Sequence, residues 1–148
     1  MSSRNKLVTL LVPCYNEERM LPTFYQEIRK MIDTEMDYRW ELLFVNDGSK
    51  DNTLDVIVRL QKSDERVAFV DLSRNFGKEA AMLAGFDYTK GDAVIIMDAD
   101  LQDPPSLIPD MLKYWEEGYD DVYAKRKSRG KESWVRKRLS LAYYALLQ

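Results

Sequence analysis

The chain has 148 residues, of which 45% are hydrophobic and 32% are charged, as expected for one globular domain with a proper core. A single cysteine excludes an internal disulfide framework, and no apolar run reaches the roughly 18 residues that a membrane-spanning helix needs. The absence of histidine excludes Ser-His-Asp and Cys-His catalysis and the usual zinc sites, so any metal must be a hard ion held by oxygen ligands.

Apolar runs alternate with helical periodicities along the chain. The apolar runs predict strands over 6–12, 40–45, 67–72 and 93–97, and a short fifth strand over 121–124. The periodic segments predict helices over 17–33, from Asp51, over 76–88 with Phe76, Ala80, Leu83 and Ala84 on one face, over 105–118, and over 133–148. This alternation predicts an α/β domain over 1–148, with a mostly parallel sheet and helices on both faces. Because the last helical pattern has no stop signal, we expect the domain to be truncated.

Open α/β sheets bind ligands beyond the carboxyl ends of their strands, so the polar loops after the strands are the candidate site. In DADLQDPP, which follows the fourth strand, Asp98 and Asp100 are expected to point the same way, as alternate residues do. Two such carboxylates repel unless a cation lies between them, and Gln102 has the same parity and can add an amide oxygen. The alternative is a solvated acidic turn in which Asp103 caps the next helix.

Two other loops carry weaker signals. Asp47 follows the second strand and can accept hydrogen bonds from a base or ribose, although an ordinary turn with a capping Ser49 or Asp51 fits as well. In PCYNE, after the first strand, Tyr15 can stack on a base. Glu17 there can equally be a first-turn acid that the helix dipole favours.

The segment 125–138 contains eight basic residues and one acid, so it carries +7 and leaves −10 for the remainder of a chain whose net charge is −3. A solvated charged helix end is the simplest interpretation. However, Arg136 and Ser140 lie one helical turn apart, and arginine suits bidentate phosphate binding. The acidic remainder would repel a polyanion, so a phosphate at a lipid surface fits better than a nucleic acid.

Five segments in order resemble the family 2 glycosyltransferases with a GT-A fold, and most of all the polyprenyl-phosphate group that includes bactoprenol glucosyltransferases and dolichol-phosphate mannose synthases. The segments are VPCYNEE (12–18), VNDGSKDNT (45–53), LSRNFGKEAAMLAG (72–85), VIIMDADLQDPP (94–105) and the basic pattern over 125–140. One departure is Asn46, where relatives often have a second aspartate. Relatives also continue beyond this length, often with membrane-associated helices.

The resemblance implies a set of site residues. It assigns the nucleotide to Pro13, Tyr15, Glu17, Asp47, Lys78 and Asp98, a Mg²⁺ or Mn²⁺ ion to Asp98, Asp100 and Gln102, and the acceptor phosphate to Arg126, Arg136 and Ser140. Asp98, Asp100 and Arg126 are the residues that it places at the reacting groups.

The resemblance further implies an inverting transfer of a sugar from a nucleotide sugar to a polyprenyl phosphate at the cytoplasmic face of the membrane. Within this resemblance, the LQDPP and NFGKE motifs favour UDP-glucose over a GDP-sugar as the donor. Two alternatives stay open, namely a family 2 transferase for a polysaccharide or soluble acceptor, and a membrane-docking module that has the same fold but no activity.

Overall fold

The computed structural model describes residues 5–124, which form a four-stranded parallel sheet with helices on both faces. The strands are β1 (Leu7–Cys14), β2 (Arg39–Asn46), β3 (Val67–Asp71) and β4 (Ala93–Ile96). The helices are α1 (Leu21–Thr34), α2 (Thr53–Ser63), α3 (Lys78–Phe86) and α4 (Ile108–Glu116), the last preceded by a 3-10 turn at Pro105–Leu107. The strand order is β3-β2-β1-β4, and a helix connects each of these strands to the next one along the chain.

The two faces of the sheet are covered unequally. One face packs against α1, α2 and α4 through a large core in which Phe24, Ile57 and Leu112 are almost fully buried. The other face is covered by α3 and contributes a smaller cluster around Leu11 and Val45. Strands covered on both faces are apolar throughout rather than alternating, which explains the continuous apolar runs of the sequence.

The apolar face predicted for α3 is not the face that packs against the sheet. Leu83 is 68% exposed, and the residues that face the sheet are Ala81 and Gly85. A Cβ on residue 85 would lie only 2.5 Å from Cδ1 of Leu11, so the helix lies so close to the sheet that only the smallest residues fit at the contact. Of the predicted face, Phe76 and Leu83 are exposed and the two alanines, Ala80 and Ala84, are half-buried.

Two other predicted elements differ from the structure. Residues 121–124 form no strand, although Val122 is buried in the large core. Helix α1 begins at Leu21 rather than at Glu17, with Pro22 in its first turn, where a proline costs no hydrogen bond. The predicted helix over 133–148 lies outside the described residues. None of the helices described within residues 5–124 combines the length and the hydrophobicity that a bilayer-spanning helix requires.

The carboxylate of Asp64 links α1, α2 and the start of β3. It accepts hydrogen bonds from Nη2 of Arg66 at 2.8 Å and from the hydroxyl of Tyr25 at 2.6 Å, and its side chain is 7% exposed. Hydrogen bonding by Arg66 lowers the pKa of Asp64 to about 2, against the opposing effect of burial.

This low pKa predicts an acid-dependent loss of stability. The ionised carboxylate stabilises the fold fully above its unfolded pKa of about 4, and the stabilisation is lost as the pH falls from there through about 2. We expect Asp64→Asn to lower the free energy of unfolding by about 2 kcal/mol at neutral pH and to flatten its pH dependence between these values, measured by urea unfolding. Asp33→Asn, which removes a 57%-exposed partner of the same arginine, should cost less than about 0.5 kcal/mol. An unchanged pH slope in Asp64→Asn would contradict this assignment.

Candidate functional site

The carboxyl ends of the strands meet at one edge of the sheet. Cys14 at the end of β1 is in register with Asn46 of β2, which is in register with Asp71 of β3. Strand order reverses between β1 and β4, and a crevice at such a point is where open α/β sheets bind ligands. The loop after β1 and the DADLQDPP loop after β4 therefore emerge side by side.

A cleft of about 320 Å³ lies at this crevice. It is lined by residues from all four post-strand segments, namely Pro13, Cys14, Tyr15, Glu17, Asp47, Asn75, Gly77, Lys78, Asp98, Ala99 and Asp100. The structure thus brings together every residue that the resemblance assigned to the nucleotide. Tyr15 is 41% exposed at this cleft, so its ring is available for stacking.

The carboxylate of Asp47 holds the loop that follows β3. It is 3% exposed and accepts hydrogen bonds from the backbone N–H groups of Phe76 at 2.8 Å and Gly77 at 3.1 Å. Each carboxylate oxygen has a second lone pair, so the group can still accept from a ligand. Asp47 is therefore more than a turn residue, because it fixes the backbone from which Lys78 extends.

Gly48 allows the same loop to approach closely. Its φ is +63°, and a Cβ at this position would lie 2.2 Å from the carbonyl carbon of Arg74 and from the amide nitrogen of Asn75. Asn46 adds a hydrogen bond from its side-chain Nδ2 to Asp71 at 2.9 Å. Asp47 and Gly48 together thus hold residues 74–77 close to the end of β2.

The loops after β1 and β2 are joined by a second set of hydrogen bonds. The backbone N–H of Asn16 donates to Oγ of Ser49 at 3.0 Å, and the N–H of Glu17 donates to Oγ1 of Thr53 at 2.8 Å. Glu17 lies four residues before the first residue of α1, so the interpretation of this acid as a first-turn residue does not apply. Its side chain lines the cleft instead.

Negative potential accumulates in the cleft. The pKa of Glu17 is raised by burial and then by the charges of Asp100, Asp98 and Asp51. The pKa of the buried Cys14 thiol is also raised, first by burial and then by Glu17 and Asp98, so Cys14 stays protonated and is not a nucleophile here. The arrangement attracts a cation.

One cation is already present as a side chain. The Nζ of Lys78 lies 2.6 Å from Oδ1 and 2.8 Å from Oδ2 of Asp98. Leu101 has a φ of +58°, which breaks the regular alternation on which the parity of Gln102 depended, and Gln102 is not among the residues that line the cleft. Its N–H donates to Oδ1 of Asp100 at 3.1 Å and so closes the turn.

The donor set fits a hard divalent ion in one particular way. Among residues 5–124 no three or more acidic, histidine or cysteine side chains are grouped so as to hold a metal. Asp98 and Asp100 would therefore be the carboxylate ligands, and further oxygens would come from a bound phosphate compound and water. Mg²⁺ is usually held in this manner at nucleotide sites.

A second cleft of about 370 Å³ adjoins the first and shares Lys78 and Asp98 with it. Its remaining lining is largely apolar, from Met82 of α3, from β4 and from α4, and it includes Asp103. Arg126, Arg136 and Ser140 lie outside the described residues, so their predicted role at an acceptor phosphate stays a prediction.

Sequence reasoning overlooked Asn75, which lines the first cleft beside Gly77. The signal was present, because Asn75 belongs to the polar SRNFGKE loop after β3. The sequence pattern did not show that this loop packs against Gly48, which brings Asn75 to the cleft.

The known proteins to which this chain is similar are glycosyltransferases. The model of the family described as glycosyl transferase family 2 matches residues 9–147. The chain is 43% identical over 145 residues to the uncharacterized glycosyltransferase YkcC of Bacillus subtilis, covering 98% of this chain and 45% of that protein. It is 42% identical over 139 residues to the bactoprenol glucosyl transferase of Shigella phage SfX, covering 94% of this chain and 45% of that protein.

The fold is also similar to that of a solved mannosyltransferase structure. The mannosyltransferase PcManGT from Pyrobaculum calidifontis, in complex with GDP-Man and Mn²⁺, superposes with a TM-score of 0.70 at 22% identity over 82% of this chain and 35% of its own. The expected GT-A fold is thereby confirmed. The chain spans about 45% of the length of the curated relatives described above. Since the family model matches nearly the whole sequence, the chain belongs to glycosyl transferase family 2.

Proposed function

We propose that the chain is the donor-binding part of an inverting, metal-dependent glycosyltransferase that moves a sugar from a nucleotide sugar to a polyprenyl phosphate. UDP-glucose is the first candidate donor. The observation that carries the proposal is the cleft into which Glu17, Asp47, Lys78, Asp98 and Asp100 converge from four post-strand loops. The 42% identity to a protein named bactoprenol glucosyl transferase supports the lipid acceptor.

In this proposal the nucleotide lies along the ends of β1 and β2. Tyr15 stacks on the base and Pro13 supports that ring from the strand end, while Asp47 accepts a hydrogen bond from the base or ribose through its remaining lone pairs. Glu17 lies close enough to Asp98 and Asp100 to add to the negative potential of the cleft. Lys78 provides the positive charge that a diphosphate requires.

Asp98 and Asp100 would hold a Mg²⁺ or Mn²⁺ ion, and Gln102 would join them only if its amide turned into the cleft. A bound divalent ion would supply charge neutralisation for the diphosphate leaving group. The two aspartates line the cleft, whereas Gln102 is held next to them by the turn at Asp100.

The acceptor phosphate is assigned to Arg126, Arg136 and Ser140. In the reaction a phosphate oxygen forms a bond to the anomeric carbon on the side opposite the leaving group. The bond from that carbon to the diphosphate oxygen breaks, and its electron pair leaves with the nucleoside diphosphate. A phosphate monoester has a second pKa of about 6, so the acceptor is already anionic at neutral pH and no general base is required. That chemistry suits a chain without histidine.

A calorimetric titration tests the donor site. UDP and GDP are each titrated into the full-length protein, with and without Mn²⁺, and we expect binding of UDP that is at least about tenfold tighter with the metal. Tighter binding of GDP would make the donor a GDP-sugar. Failure of both nucleotides to bind would overturn the proposed enzyme and favour the membrane-docking alternative.

The acceptor is tested by transfer. The full-length protein at a membrane surface, supplied with labelled UDP-glucose, is expected to move the label into a solvent-extractable lipid only when polyprenyl phosphate is added. Transfer to a polysaccharide or soluble sugar instead would overturn the lipid acceptor. A hydroxyl acceptor would require a carboxylate base, for which Asp103 in the adjoining cleft is the nearest candidate.

A further inference from the structure

The ion pair between Lys78 and Asp98 occupies the centre of the candidate site. The ammonium contacts both carboxylate oxygens, at 2.6 Å and 2.8 Å, and both residues line both clefts. The side chains are 56% and 39% exposed, so neither is locked by packing. The lysine therefore neutralises the aspartate while remaining free to move.

The position of Lys78 is set by the structure around it. Lys78 is the first residue of α3 and directly follows Gly77, whose N–H is held by the buried carboxylate of Asp47. The preceding residues are packed against Gly48. An anchored backbone thus directs a long, flexible side chain across the cleft, which distinguishes this contact from an incidental surface ion pair.

An ammonium group and a divalent ion compete for the same carboxylate. Both cations need the Asp98 oxygens, and their like charges repel at such short separation. A metal that binds Asp98 therefore weakens the contact between Asp98 and Lys78. The ammonium, on a stem anchored at the wall of the same cleft, is then available to a diphosphate.

We propose that Lys78 is an exchangeable counter-ion, which pairs with Asp98 in the free protein and transfers to the donor diphosphate when the metal takes Asp98. This inference rests on the proposed function. It makes binding of metal and nucleotide mutually favourable, because the metal frees the lysine that the diphosphate uses, and by linkage the nucleotide strengthens metal binding by the same factor.

The test measures binding rather than turnover. Mn²⁺ alone is titrated into the full-length protein and followed by electron paramagnetic resonance, and UDP is then titrated at saturating Mn²⁺. Lys78→Met is expected to bind Mn²⁺ alone about three- to tenfold more tightly, because the competing cation is gone, and to bind UDP about tenfold more weakly. The factor by which each ligand strengthens the other should fall accordingly.

Two controls accompany this variant. Lys30→Met removes one positive charge from an exposed pair with Glu27 on α1 and should leave both affinities unchanged. Lys78→Arg keeps the charge and should retain weak Mn²⁺ binding in the absence of UDP. Lys78→Gln provides the same test as Lys78→Met with a polar side chain, should the methionine variant fold poorly.

The outcomes separate this inference from the proposed function. Wild-type protein that binds neither Mn²⁺ nor either nucleotide, UDP or GDP, would overturn both. Wild-type protein that binds both ligands, together with a Lys78→Met variant whose affinity for Mn²⁺ alone is unchanged or weaker, would overturn the counter-ion role only. Tighter Mn²⁺ binding in Lys78→Met but not in Lys30→Met would support it.

Discussion

Replacement of Asp100 by asparagine is expected to lower metal-dependent sugar transfer by a factor of about 10² or more while leaving the fold intact. The change removes one of the two carboxylates available to a divalent ion. The Asp100 side chain accepts a hydrogen bond from the N–H of Gln102, which an asparagine oxygen can also accept. Turnover at saturating donor and acceptor, measured with urea unfolding of the same preparation, checks both halves of this expectation.

The matched control is Asp110→Asn. Asp110 is exposed in the first turn of α4, so this substitution removes the same charge away from the cleft and should leave transfer within about twofold of the wild type. Metal-dependent turnover that survives in Asp100→Asn would refute the assignment of Asp100 to the metal.

Replacement of Gly48 by alanine is expected to have the largest effect on stability. The added Cβ would lie 2.2 Å from backbone atoms of Arg74 and Asn75, at a φ of +63° that L residues rarely adopt. Backbone cannot move aside as a flexible side chain can, so we expect a loss of about 3 kcal/mol in the free energy of unfolding. UDP binding should weaken at least about tenfold, because the displaced loop carries Lys78.

The control variant Gly118→Ala separates the effect of backbone strain at a positive φ from the effect of a steric clash of the added Cβ. Gly118 also has a positive φ, +101°, but a Cβ there has no atom within 4 Å, and the residue follows α4 away from the cleft. We expect a loss of about 1 kcal/mol and unchanged UDP affinity. Equal losses of stability in the two variants would show that the loop at residues 74–75 moves away to accommodate the added Cβ, contrary to the close packing described above.

The strand cores and the polar loops at their ends were predictable from the sequence. Continuous apolar runs such as AVII, in a chain that alternates strands with helices, are typical of parallel strands covered on both faces, and such strands necessarily bring their carboxyl ends to one edge. That rule alone was enough to place Tyr15, Asp47 and Asp98 around one site before any contact was known.

Other features depend on distances that no local pattern encodes. The inward face of α3 is chosen by how closely the helix approaches Leu11, which favours Gly85 over the more apolar Leu83. The ion pair between Lys78 and Asp98 joins residues twenty positions apart through a loop that Asp47 holds. The positive φ of Leu101 likewise breaks an alternation that is valid only for extended backbone.

The buried carboxylate of Asp47 has a consequence for how tightly a ligand can be held. Its two hydrogen bonds fix the backbone of Phe76 and Gly77 before any ligand arrives. Fixing one residue costs about 1–2 kcal/mol of conformational entropy, and here the fold has already met that cost. A nucleotide that enters the cleft therefore retains more of its contact energy as affinity, because a preorganised site loses less conformational entropy on binding than a flexible one.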